Sequence, residues 1–98
     1  MSKIKSLLEK NKNGRIYVYL ADEKIGKKFL QDAEDEGFTF CDGVKPTKRE
    51  ISDIFALNDD MTINYVGTNG RIAYQSAKKI GDKRLIKIDY RDVLNTKD

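Results

Sequence analysis

Histidine is absent from the 98 residues, and cysteine and proline occur once each. Without histidine there is no Ser-His or Cys-His nucleophile pair and no imidazole metal ligand. A single cysteine, Cys41, excludes an internal disulfide and any multi-cysteine metal site, which fits a reducing cytoplasm. Between Phe40 and Asp42 it reads as an ordinary strand residue. No apolar run approaches the roughly 18 residues of a membrane span, and the first residues have no apolar signal-peptide core. Carboxylate chemistry at Asp53 or Asp89 would need a concave cluster that no spacing demands. The chain is therefore expected to be cytoplasmic and non-enzymatic, with no cofactor and no metal.

What is present is charge, 36% of residues, with a formal net charge of +3. It is segregated along the chain. Residues 1–28 hold eight Lys/Arg against three Asp/Glu, residues 29–66 three against nine, and residues 67–98 eight against four. An acidic middle between basic ends implies a bipolar surface rather than one dominated by cations.

Local signals predict one domain over residues 1–98, with a loosely attached helix within 1–13 and a frayed tail at 95–98. Ser2 is a candidate N-cap for a helix over 2–11, with Ile4, Leu7 and Leu8 on one side and Asn11, Asn13 and Gly14 stopping it. In 15–20, Ile16, Val18 and Leu20 alternate with Tyr17 and Tyr19, a period of two. Asp22 caps a helix to about Glu36, closed by Gly37, with Ile25, Phe29 and Ala33 as its buried face.

A second strand places Phe38 and Phe40 inward, and Asp42-Gly43 turns the chain before Pro46. Thr47 to Glu50 has the spacing of a capping box. Helix and strand compete over 48–57, and one helical turn followed by a hairpin is preferred. Its strands are 53–58 and 62–66, joined through Asn58, Asp59 and Asp60. A short helix over 71–79 would bury Ile72, Ala73 and Ala77 and break at Gly81-Asp82. A last strand over 84–90 would turn Ile86 and Ile88 inward. The sum is an α+β fold: a mainly antiparallel sheet of about five strands, packed with two helices plus a short N-terminal helix.

Two surfaces stand out. The 22–36 helix begins with Lys24, Lys27 and Lys28 and ends with carboxylates, against the macrodipole preference. Such rule-breaking marks a candidate partner-binding patch of Asp32, Asp35 and Glu36, joined by Asp59 and Asp60. The alternative is a nucleic-acid or phosphate site. Gly67, Thr68, Asn69, Gly70 and Arg71 would offer backbone N–H groups, and Lys78, Lys79, Lys83 and Arg84 charge. The 67–71 stretch has neither the P-loop lysine nor the three-glycine dinucleotide spacing.

Residues 16–20 and 36–41 resemble the two aromatic strand motifs of RNA-recognition domains. The second follows the first helix directly, however, and Glu36 replaces its basic first residue, so base stacking is not expected.

The run Phe29-Leu30-Gln31-Asp32-Ala33-Glu34-Asp35-Glu36-Gly37-Phe38, the turn Asp42-Gly43-Val44-Lys45-Pro46-Thr47, the Ile63–Val66 strand and Ile88-Asp89-Tyr90 form a wider pattern. It resembles small accessory proteins of Firmicutes phages and mobile elements, anti-CRISPR inhibitors among them. The resemblance covers about residues 15–90 and rests on turns and strands. It implies an inhibitor that occludes a host protein, such as a nucleic-acid-handling defence effector, without chemistry of its own.

Overall fold

The computed structural model describes residues 3–12, 14–76, 78–80 and 82–95. Expectations at Ser2, Asn13, Ala77, Gly81 and 96–98 lie outside them. The elements run α1 (Lys3–Lys10), β1 (Gly14–Tyr19), α2 (Glu23–Asp35), β2 (Thr39–Phe40), a 3-10 turn (Pro46–Lys48), β3 (Ile54–Leu57), β4 (Thr62–Tyr65), α3 (Gly67–Ser76), β5 (Lys79–Ile80), β6 (Lys83–Asp89) and α4 (Tyr90–Asn95).

These strands form one six-stranded sheet in the order β2-β4-β3-β1-β6-β5. The expected α+β class holds, but the sheet is mixed rather than mainly antiparallel. β1 pairs antiparallel with β3 and parallel with β6, and β2 runs parallel to β4. The cause lies in the helices. α2 returns the chain to the end of the sheet where β1 began, and α3 does the same after β4, so β2 and the final hairpin start from that end.

Side-chain alternation sorts the residues into layers. Ile16, Val18 and Leu20 join Phe55, Leu57 and Ile63 on one face, under Ile4 of α1, Phe29, Leu30 and Ala33 of α2, and Tyr90 of α4. Phe38 and Phe40 enter the same core, as their spacing predicts. The other face holds Tyr17, Ile54, Ala56 and Leu85, with Tyr19, Val66 and Tyr74 packed against them. Tyr74 of α3 stacks on Tyr19 at 5.9 Å. With both faces covered, β1 is buried on both sides, which suits its β-branched and aromatic content.

Several local expectations change. α3 begins at Gly67, whose φ of 67° turns the chain directly into the helix, so Lys78 and Lys79 fall beyond its end. Ile72 is 58% exposed rather than buried, because Tyr74 makes the contact with the sheet. Thr47 forms no capping box; its backbone N–H (3.2 Å) and hydroxyl (2.6 Å) both donate to Glu34. Residue 90, expected to close the last strand, starts α4 instead. In α1, Ile4 is fully buried.

Candidate functional site

The acidic residues singled out in the sequence do reach one end of the molecule. Thr39 donates its N–H to Met61 O (3.2 Å), setting the α2 C-terminus beside the β3–β4 turn that carries Asp59 and Asp60. They do not form an open patch, because folding uses several of them. Asp32 is buried at 9% exposure and accepts from the Tyr90 hydroxyl and, at 2.7 Å, from Lys28 Nζ. That hydrogen bond, with the Asp32 charge, raises the Lys28 pKa.

Glu36 accepts from the backbone N–H groups of Ile4 (3.0 Å) and Lys5 (2.9 Å). It thus caps α1 from about thirty residues away, the office expected of Ser2. Asp59 lies 3.8 Å from Lys83, and Asp60 accepts from Thr62. Asp35 is exposed and accepts from Gln31. The inverted charge order of α2 therefore has a structural explanation for Asp32 and Glu36.

Removal of the Glu36 cap gives a direct prediction. Glu36→Ala is expected to cost about 0.5–2 kcal/mol, the usual range for a lost N-cap, and to fray α1 first. Far-UV circular dichroism and amide exchange at Ile4 and Lys5 read this. Unchanged protection at both amides would mean that the carboxylate is not the cap.

The proposed phosphate site is divided between opposite ends. Gly67, Thr68, Asn69, Gly70 and Arg71 are the first turn of α3, with the Asn69 side chain outside the described part. Arg71 is bound to Asp53, whose carbonyl accepts the Leu20 N–H at the end of β1. Lys78, Lys79, Lys83 and Arg84 lie at the other end, on and beside the β5–β6 hairpin. Tyr17 is buried and Tyr19 half-buried under α3, so neither ring offers an open stacking platform.

A large concave feature among the described residues is one that sequence reasoning missed. An open groove of about 870 Å³ runs between the first half of α2 and the segment 47–53. Leu20, Leu30 and Ile51 form its floor, and Asp22, Lys27, Gln31, Arg49 and Glu50 stand on its rim. A signal for it in the sequence is Gly26. A Cβ there would lie 2.4 Å from Ile51 Cγ2, so glycine lets the segment rest on the helix. Thr47–Glu34 bonds and the Tyr65 hydroxyl, which donates to Glu50 O, hold the same segment.

Three of the rim charges, Asp22, Lys27 and Arg49, have partners within the protein itself. Lys27 lies 3.3 Å from Glu23, Arg49 is bound to Asp42, and Asp22 accepts the Ile25 N–H at 2.9 Å as the α2 cap. The Thr47 donors hold the Glu34 carboxyl below its usual range, and the Val44 N–H, then Arg49, do so for Asp42. Burial raises the Tyr65 hydroxyl. Among the described residues, no group of three or more Cys, Asp or Glu side chains is placed to hold a metal, and no helix is long and apolar enough to cross a membrane. No protein-family model matches this chain, and neither does any curated protein or solved structure.

Proposed function

We propose that this is a non-enzymatic binding protein that acts by occluding a protein partner, its contact surface being the groove between α2 and residues 47–53. The observation that supports this is the make-up of the groove: an apolar floor of Leu20, Leu30 and Ile51 inside a charged rim on which Lys27 and Arg49 are already paired. That is the anatomy of a protein interface, with an apolar centre and a polar border. Fixed rim geometry also lowers the ordering cost of association.

The partner class follows the resemblance to phage and mobile-element proteins: a nucleic-acid-handling effector of a bacterial defence system, inhibited in the anti-CRISPR manner. Occlusion here is mainly steric. The electrostatic contact expected from the α2 C-terminus loses Asp32 and Glu36 to internal bonds, and its remaining exposed carboxylates are Asp35, Asp59 and Asp60.

The test is capture of a nuclease-resistant protein partner from a bacterial lysate, compared between the wild type and Ala21→Arg/Gln31→Arg. Both positions line the groove, and neither is buried. The double variant is expected to keep its melting temperature and bind the captured partner at least about tenfold more weakly, roughly 1.4 kcal/mol. If it binds undiminished while Asp35→Lys/Asp60→Lys abolishes capture, the contact surface is the acidic end instead. Undiminished capture by both variants removes both surfaces from consideration.

A further inference from the structure

The β5–β6 hairpin places like charges where sheets ordinarily avoid them. Lys79 stands directly opposite Arg84 in antiparallel register, a juxtaposition that destabilises a strand pair. Lys78, whose carbonyl accepts the Leu85 N–H, precedes it, and Lys83 opens β6. All four side chains are exposed. The end of α1 extends the cluster: Lys10 and Lys12 share a recess of about 390 Å³ with Arg84, Gly14 and Ile86. Gly14 is required beside this recess, because a Cβ there would meet Ile86 Cγ1 at 2.5 Å.

Glu9 in the recess, Asp59 beside Lys83 and Asp82 before it stand near these cations, which outnumber them among the described residues. Lysine on an outer strand can serve simply to deter strand pairing between molecules. That role explains Lys79 on β5, but not Arg84 on the inner strand β6, nor the cations from α1.

We infer that this corner binds the phosphodiester backbone of nucleic acid. Repulsion between Lys79 and Arg84 would be relieved by an anion lying between them, and a cluster of cations can meet backbone phosphates without reading sequence. The surface lies at the start of β1, whereas the groove lies at its end, so the two can be occupied independently.

Fluorescence anisotropy with a labelled duplex DNA and its single strand tests this, titrated between about 50 and about 200 mM salt. Wild-type protein is expected to bind at low salt with steeply falling affinity as salt rises. Lys79→Glu/Arg84→Glu should bind at least about tenfold more weakly. Its log–log salt slope should be shallower by nearly two, at about 0.9 for each phosphate that is no longer neutralised. Lys24→Glu/Lys48→Glu changes net charge equally at exposed positions elsewhere and should retain most of the affinity. The preferred probe, duplex or single strand, identifies the source of the backbone. Absence of wild-type binding to both probes at the lowest salt, or an equal loss in the second variant, overturns the inference. Partner capture through the groove should be unaffected by Lys79→Glu/Arg84→Glu, which keeps the two surfaces separable.

Discussion

Phe29→Ala is expected to lower the unfolding free energy by about 3–5 kcal/mol, the range for truncating a buried phenylalanine. The side chain is fully buried, stacks on Phe55 at 5.7 Å and meets Tyr90 edge-on at 5.1 Å. It therefore joins α2, β3 and α4 at one point, and a cavity there cannot close without moving all three. For a domain whose total stability is about 5–15 kcal/mol, this is a large share. Urea unfolding of the variant, followed by circular dichroism and tyrosine fluorescence, measures it. Ile72→Ala, at an exposed position on α3, should fall within about 0.5 kcal/mol of wild type. A similarly small loss for Phe29→Ala would mean that α2 is not seated on the sheet as described.

The second large effect belongs to the Tyr90–Asp32 hydrogen bond, which ties α4 to α2. Asp32→Ala leaves a buried hydroxyl without its acceptor and should cost about 1–3 kcal/mol. Asp32→Ala/Tyr90→Phe removes both partners, so its cost should be less than the sum of the two single variants. Strict additivity would show that the two groups are not coupled.

The same pair gives a pH dependence. Burial, reinforced by the hydrogen bond and charge of Asp32, pushes the Tyr90 hydroxyl far above the usual phenol range. In the unfolded chain it ionises near pH 10, about the value of a free tyrosine. The folded state then holds the proton more tightly, so the stabilisation is complete below about pH 10 and declines as pH rises above it. Tyr65 and Tyr74, also raised by burial, contribute with the same sign. Unfolding free energy measured across the alkaline range should fall, and Tyr90→Phe should flatten that fall. An equally steep decline in the variant would assign the dependence to other groups.

The local structure around β1 and α2 was legible because its signals act within a few residues. Asp22 caps α2 through the Ile25 N–H, three residues on, and Gly37 closes it with a φ of 91°. Alternation put Ile16, Val18 and Leu20 on one face and Tyr17 and Tyr19 on the other, a direct consequence of the pleat. The boundaries of α3 were not legible. Ile72 and Ala73 favoured a later helix, while the positive φ at Gly67 and the packing of Tyr74 on Tyr19 set an earlier one.

By itself the sequence determined the α+β class, the inward set of the central strand, the α2 cap and the separation of charge along the chain. Each depends on dihedral preference or side-chain period over a short span. Tertiary structure alone decided that β1 and β6 run parallel, that Glu36 caps α1, that Asp32 is buried against Tyr90, and that residues 47–53 and α2 enclose a groove. These are contacts between distant residues. Strand direction depends on where each helix returns the chain, and a carboxylate counts as surface or as structure according to which N–H or hydroxyl the fold brings to it. Charge order along a helix carries no record of that partner.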